Sequence, residues 1–160
     1  MSDTADYLSR PDSHLDPAVA ARYDHSNRDR FAPETLAATV EVLAELAGGG
    51  TAVEFAVGTG RVALALAETG VRVLGIDFSE PMLAELRKKD LSHSVAVTHG
   101  DMTTAQVCSD ATLVYLVFNS LANLRDQALQ VACFRNAAAH LAPGGRFAIE
   151  QNVPKLHQMP

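Results

Sequence analysis

Two glycines and a later carboxylate carry the chemistry that the pattern of this chain indicates. The glycines close the stretch Val53-Glu54-Phe55-Ala56-Val57-Gly58-Thr59-Gly60-Arg61, and Asp77 follows about 20 residues further on. Because glycine has no Cβ, the backbone can turn tightly there and approach a ligand closely. A helix beginning near Arg61 would point its free N–H groups and its positive dipole end at the same space, which favours a ligand carboxylate or phosphate. A carboxylate at position 77 can accept both hydroxyls of a ribose, so the pattern predicts an adenosine-like ligand with an anionic end.

The residues around the glycines are typical of one βαβ unit. The apolar run from Ala52 to Val57 predicts a buried strand. The segment after Arg61 consists of strong helix formers, and Gly70 stands where a glycine stop is expected. The run from Val71 to Ile76 predicts a second buried strand. This order of elements places Asp77 at the carboxyl end of the second strand, where such units bind ligands.

The acidic residue before the glycine turn helps to choose between two such ligands. Glu54 would repel the pyrophosphate of a dinucleotide, whereas S-adenosylmethionine carries an ammonium and a sulfonium that a carboxylate favours. Glu54-x-x-x-Gly58-x-Gly60 resembles the first motif of the class I, Rossmann-like S-adenosylmethionine-dependent methyltransferases. One departure is Ala56, where many members of that family carry a further glycine. The resemblance implies that S-adenosylmethionine is the cofactor and that these residues contact it.

The resemblance also implies an N-terminal lid. In many such methyltransferases, an N-terminal segment with a tyrosine lies over the cofactor. Tyr23 and Arg30 are the candidates here, although the polar patch that holds them is equally compatible with a capped loop. We therefore expect residues 1–32 to form an arm or lid and residues 33–160 to form the methyltransferase domain.

Four further residues are candidates for the adenine end of the cofactor. The family has a Gly-Asp pair after the third strand whose aspartate accepts from the adenine amino group, and the resemblance gives that role to Asp101, with Met102 packed on the ring. Phe78 and Met82 follow Asp77 and are placed to flank the ring. Apolar residues at that spacing are as often plain core.

The strongly apolar run from Asp110 to Phe118 predicts a central strand buried on both faces. Ligands of open parallel sheets bind beyond the carboxyl ends of the strands. We therefore expect Val117 and Phe118 to face the transferable methyl group. Asn119 is predicted either to contact the substrate or to cap a helix.

The remaining segments complete a doubly wound α/β fold. The resemblance implies a mostly parallel sheet of five strands in the order 3-2-1-4-5 with helices on both faces, and the C-terminal β-hairpin of the family is missing. The pattern predicts helices over Ala18 to Tyr23, Pro33 to Ala47, Ser79 to Lys89 and Gln127 to Leu141, and strands over Val95 to Thr98 and Arg146 to Glu150. Pro143-Gly144-Gly145 is predicted to form the turn before the fifth strand.

Without that hairpin, the fifth strand is expected to be an exposed edge. We therefore expect a truncated version of a longer protein that self-associates through this edge. The alternative is that the tail from Val153 to Pro160 folds back over it.

Composition narrows the remaining choices. A chain of 160 residues predicts one domain, and its formal charge of −6 argues against a nucleic acid or an anionic membrane as partner. Cys108 and Cys133 are predicted to be reduced core thiols in a cytoplasmic protein. No metal-site spacing is visible, and His93 and His140 are expected at the surface. No residue is assigned as a catalytic base.

Three functions fit these residues and their spacing. The first is methyl transfer from S-adenosylmethionine to a small-molecule acceptor by in-line displacement at the sulfonium. The second is an NAD(P)-dependent oxidoreductase, because Gly58-x-Gly60-x-x-Ala63 loosely fits the dinucleotide fingerprint. The third is a module that binds S-adenosylmethionine without turnover.

Overall fold

Five parallel strands form a single sheet in the spatial order β3-β2-β1-β4-β5. The strands are β1 (Thr51–Phe55), β2 (Arg72–Asp77), β3 (Val95–His99), β4 (Ala111–Leu116) and β5 (Leu141–Ile149). The protein is described by a computed structural model that covers residues 15–28 and 33–152. The order confirms the doubly wound topology predicted from the sequence.

Helices connect the successive strands, except that a loop joins β3 to β4. They are α1 (Pro17–Ser26), α2 (Pro33–Ala47), α3 (Arg61–Glu68), α4 (Glu80–Lys89) and α5 (Gln127–His140), with a 3₁₀ helix at Ser120–Asn123 between β4 and α5. Helix α1 runs about one turn beyond its predicted end and is capped by Asp16, whose side chain accepts from the N–H of Ala18 at 2.7 Å. In the described part of the chain, no helix is both long and apolar enough to cross a membrane.

Two apolar clusters cover the two faces of the sheet. On one face, α2, α3 and α4 bury residues such as Leu43, Leu66 and Leu86 against the strands. On the other face, α5 buries Cys133 and Ala137 against β1, β2 and β4. Strand β4 is buried from both sides, which agrees with the central position predicted for its apolar run.

The start of β5 differs from the prediction. The strand begins at Leu141, which pairs with Ala111, and its regular pairing resumes only at Arg146 opposite Leu113. The predicted Pro-Gly-Gly turn therefore lies inside the strand as an irregularity. Gly144 has a φ of +83° there, a backbone conformation that glycine adopts without steric cost.

His140 was predicted at the surface, and this prediction is wrong. It is the last residue of α5 and its side chain is fully buried. Its ring packs edge-on against Phe55 of β1, with centroids 5.4 Å apart. The helix pattern located the end of α5, but only the packing against β1 determined that this end lies inside the core.

Candidate functional site

The glycine turn lies at the carboxyl end of β1, between the strand and α3. Gly58 and Gly60 have φ angles of +57° and +80°. A Cβ on Gly58 would meet no atom within 4 Å, whereas a Cβ on Gly60 would come within 2.6 Å of Leu86. Packing against Leu86 of α4 therefore requires a glycine at position 60. Gly58 leaves open space beside the turn, next to the N-terminus of α3.

Asp77 ties this turn to the end of β2. Its Oδ2 accepts from the N–H of Gly58 at 2.7 Å, and its Oδ1 accepts from the N–H of Ser79 at the same distance. The backbone carbonyl of Asp77 also accepts from the N–H of Gly100, at 2.9 Å. The loops that follow β1, β2 and β3 therefore meet at this one residue, and each carboxylate oxygen is oriented by a backbone donor.

Glu54 lies beneath the N-terminus of α3 rather than at an open surface. The side chain is 3% exposed, and its Oε2 accepts from the hydroxyl of Tyr115 at 2.8 Å. Burial raises the pKa of Glu54 to about 8, although the bonds from Tyr115 and from the N–H of Ala63 and the charge of Arg61 act in the opposite direction. Burial therefore favours the neutral form of the Glu54 side chain, where the sequence suggested a carboxylate.

Phe118 and Asn119 adopt a backbone conformation that non-glycine residues rarely take, with φ angles of +65° and +58°. The guanidinium of Arg61 lies 3.9 Å from the centre of the Phe118 ring. Just after β5, Glu150 accepts from the N–H of Phe118 at 3.3 Å, and the N–H of Asn152 donates to Asn119 at the same distance. The strained backbone at the end of β4 is thus held by contacts with α3 and with the segment after β5. Strained residues held in this way cluster at functional sites.

Val117 precedes these two residues and is buried in the core. Asn119 stands at the N-cap position of the 3₁₀ helix but makes no side-chain capping bond there. Its side chain instead accepts from Asn152, as described above. Of the two roles predicted for Asn119, helix capping is not seen.

The candidate adenine residues divide into exposed and buried ones. Asp101 is exposed, and its Oδ1 accepts from both the N–H and the hydroxyl of Thr103, each at 2.7 Å. Met102 is half-buried against the second apolar cluster. Phe78 is 47% exposed beside His99, while Met82 is buried in the first turn of α4. The surroundings of Met82 fit the plain-core alternative, and Phe78 and Asp101 remain accessible to a ligand.

Helix α1 is fastened to the glycine turn through Asp24. The Oδ1 of Asp24 accepts from the hydroxyl of the buried Thr59 at 2.5 Å, and its Oδ2 accepts from Lys89 of α4 at 2.6 Å. Tyr23, the adjacent residue, is half-buried. Arg30, the second lid residue suggested by the sequence, lies outside the described residues.

A pocket of about 580 Å³ opens between α1 and the end of β4. Its lining is mainly polar, with amide, hydroxyl and phenol groups, one guanidinium and no carboxylate. The residues are Val19, Arg22, Tyr23, Ser26, Asn27, Phe118, Asn119, Ser120, Asn123 and Asn152. Three of the predicted site residues thus line this pocket together: Tyr23 of the N-terminal segment, Phe118 and Asn119.

Comparison with known proteins identifies the family. A family model for a methyltransferase domain matches residues 52–145, which run from β1 into the first half of β5. The chain belongs to the class I, S-adenosylmethionine-dependent methyltransferases.

Individual methyltransferases agree with this assignment. The cypemycin N-terminal methyltransferase of a Streptomyces species is 36% identical over 110 residues, covering 69% of this chain and 45% of the relative. The structure of the CcbJ methyltransferase from Streptomyces caelestis matches with 37% identity and a TM-score of 0.66, over 69% of this chain and 46% of that one. The sugar N-methyltransferase KedS8 from a Streptoalloteichus species matches with 26% identity and a TM-score of 0.68, over 83% and 54% of the two chains. This methyltransferase chain spans about half the length of these relatives.

Sequence reasoning missed several residues of this candidate site. Asp24 lay within the polar patch of the N-terminal segment, but nothing in the local pattern indicated that it would meet Thr59. The pocket asparagines at positions 27, 123 and 152 were missed as well, because isolated amides in loops carry no distinctive spacing. Within the described residues, no three His, Cys, Asp or Glu side chains gather as metal ligands.

Proposed function

We propose that this domain binds S-adenosylmethionine at the carboxyl ends of β1 and β2 and methylates an amine nitrogen of a small molecule. The observation that carries the proposal is the bond from the Gly58 N–H to the Asp77 carboxylate, which joins the glycine turn to the ribose-type acid. In the methyltransferase family these two features belong to one cofactor site. The proposal therefore rests on the geometry of the turn within the matched domain.

The residues present fit the proposed cofactor. The space next to Gly58 is open, so a ligand can approach the backbone there, and the N-terminus of α3 favours a carboxylate. The Asp77 carboxylate lies at the end of β2 beside this turn, where an acid can accept from the hydroxyls of a ribose. Asp101 and Phe78 are accessible for the adenine, with Met102 beside them.

The N-terminal helix supports a lid role. We propose residues 1–32 as that lid, because Asp24 of α1 contacts the glycine turn while Tyr23 lines the pocket beside it. A helix in this place would exclude water from the reacting groups. Arg30 is proposed as a second lid residue from the resemblance alone.

The pocket between α1 and the end of β4 is proposed to bind the acceptor. Its amide and hydroxyl groups suit a polar molecule that presents hydroxyls or amides of its own beside the amine. The choice of nitrogen is supported by the names of an N-terminal methyltransferase and a sugar N-methyltransferase among the relatives. Asn119, which lies at the pocket and at the end of β4, is proposed to contact this acceptor.

The reaction needs positioning more than it needs a base. When bound, S-adenosylmethionine supplies a methyl group on a sulfonium, and its transfer to an amine leaves S-adenosylhomocysteine and one proton. The strained pair Phe118 and Asn119 would orient the acceptor nitrogen for in-line attack, an effect that can remove several kcal/mol of barrier. Among the described lining residues there is no carboxylate or histidine side chain, so we propose that the proton leaves to solvent.

Calorimetry with three ligands tests the cofactor. We expect S-adenosylmethionine and S-adenosylhomocysteine to bind and NADH not to bind. Gly58→Val should abolish binding, because a β-branched side chain would strain the turn and fill the open space beside it. Binding of NADH instead of S-adenosylmethionine would contradict the proposal and would favour an oxidoreductase.

A second assay tests turnover. Purified protein and S-adenosylmethionine would be screened against amino sugars and short peptides with free amines, with S-adenosylhomocysteine as the measured product. Formation of methylated amine supports the proposal. Tight cofactor binding with no product from any acceptor class would favour a binding module instead.

Two further proposals concern the whole protein. We propose that β5 pairs with β5 of a second copy, because β4 is its only neighbour within the described residues and Phe134 is 48% exposed beside it. The tail from Val153 to Pro160 lies outside those residues. We also propose a cytoplasmic location, which is supported by Cys108 and Cys133 being free thiols.

A further inference from the structure

The loop between β3 and β4 is held by two buried side chains of α5 that the proposed function does not use. The Nδ2 of Asn136 donates to the carbonyls of Met102, at 2.9 Å, and Ala105, at 2.8 Å. The Nε2 of His140 accepts from the N–H of Val107 at 3.1 Å. Its Nδ1–H donates to the carbonyl of Asn136 at 2.7 Å, and these partners together define the tautomer of the ring.

These bonds use the full donor capacity of the Asn136 amide. Asn136 is 6% exposed and His140 is fully buried, so each lost bond would leave a buried polar group without a partner. A shifted loop would lose three backbone contacts together. These bonds therefore hold the chain from Met102 to Val107 on one path. We call the pair Asn136 and His140 the α5 clamp.

The other end of the same loop is tied to Asp77. Gly100 donates to the Asp77 carbonyl, and a Cβ on Gly100 would come within 2.7 Å of the Ala105 side chain. The N–H of Ala105 donates to the carbonyl of Asp101, also at 2.7 Å. The loop is thus folded tightly back on itself, and the α5 clamp together with Asp77 holds the backbone on both sides of Asp101, whose carboxylate accepts from Thr103.

We propose that Asn136 and His140 are positioning residues for recognition of the adenine ring. They hold the loop so that the exposed carboxylate of Asp101 meets the exocyclic amino group of the adenine, with Met102 against the ring. The inference rests on the proposed function, because it takes the adenine to lie beside Asp101. A clamp that only stabilised the fold would change stability without changing which base is preferred.

The experiment measures that preference. S-adenosylhomocysteine would be compared by calorimetry with S-inosylhomocysteine, in which a carbonyl oxygen replaces the amino group. The wild type should prefer the adenine compound by about tenfold or more, since the analogue leaves the Asp101 carboxylate facing an oxygen. Asn136→Ala and His140→Phe should each lose most of this preference. His140→Phe keeps the ring volume and the contact with Phe55.

Leu43→Ala is the matched control, because it empties a buried position on the opposite face of the sheet. It should lower stability yet keep the wild-type preference. A wild type that discriminates, together with clamp variants that discriminate equally well, overturns the inference alone. A wild type that binds neither compound overturns the proposed function and the inference with it.

A second measurement needs no variant. In the wild type, S-adenosylhomocysteine should slow hydrogen exchange at the Val107 amide more than S-inosylhomocysteine does at equal saturation, because a ligand that engages Asp101 stabilises the clamped loop. Equal protection by the two ligands would overturn the inference even if both variants failed to fold.

Discussion

At the residue scale, the carboxylate of Asp77 both holds the glycine turn and faces the proposed ribose site. We predict that Asp77→Ala weakens S-adenosylmethionine binding by about 1–3 kcal/mol, the range for a hydrogen bond to a charged group. Calorimetry measures this change. Asp110→Ala, an exposed position just before β4, removes the same charge and should leave binding unchanged. An unaltered dissociation constant in folded Asp77→Ala would remove the ribose assignment.

Glu54 provides a pH-dependent signature of the buried acid. Its pKa is raised from 4.5 to about 8, so between these values the folded state holds a proton that the unfolded state has released. The Glu54 contribution to the free energy of unfolding should therefore be greatest at low pH and fall as pH rises through this window. The slope should reach about 1.4 kcal/mol per pH unit.

Urea unfolding from roughly pH 5 to pH 9 measures that slope. Glu54→Gln serves as the reference, because the amide is isosteric and does not titrate. As pH rises, the free energy of unfolding of the wild type should fall relative to that of Glu54→Gln. If the two stability curves stay parallel across the window, the pKa of Glu54 is not raised.

Ala56 stands where many family members have glycine, and its φ is +55°. A left-handed conformation is costly for a residue with a Cβ. We predict that Ala56→Gly stabilises the protein by about 0.5–1 kcal/mol, since the relief of strain exceeds the entropy lost by a glycine on folding. Ala52→Gly, in the extended part of β1, should destabilise it. Denaturant midpoints of the two variants would decide the matter, and equal shifts would contradict the strain argument.

At the scale of elements, the Asp24 side chain joins α1 to the glycine turn. We predict that Asp24→Ala speeds hydrogen exchange of the α1 amides by roughly tenfold, because the bonds to Thr59 and Lys89 are both lost. His25→Ala changes an exposed neighbour on the same helix and should not have this effect. Exchange rates that match the wild type would mean that α1 is held by other contacts.

Local signals predicted which elements exist better than where they end. The bounds of α2 agree fully, because proline opens the helix and three glycines follow it. The start of β5 was misplaced, because Pro143 and Gly144 signal a turn wherever they occur. Whether that turn precedes the strand or interrupts it depends on pairing with Ala111, which no local pattern contains.

At the scale of the whole molecule, β5 has no neighbouring strand except β4 within the described residues, and we predict self-association through it. Sedimentation velocity over a range of concentrations should show a reversible dimer. Phe134→Ser should shift it toward monomer, because this exposed ring packs against Phe147 of β5. Leu91→Ser, at an exposed apolar residue after α4, is the matched control. A stable wild-type monomer whose own tail covers β5 would refute the proposal.

The sequence by itself determined the strands and the glycine turn with Asp77, and the family resemblance that they carry implied the strand order. The strands and the turn depend on short apolar runs and on glycines, which are local features of the chain. The tertiary structure decided which side chains meet across long separations. Tyr115 bonds to Glu54 from 61 residues away, and Asp24 bonds to Thr59 from 35 residues away. Such pairs form only when packing brings their elements together, so the buried state of Glu54, the docking of α1 and the α5 clamp could not be predicted from the sequence.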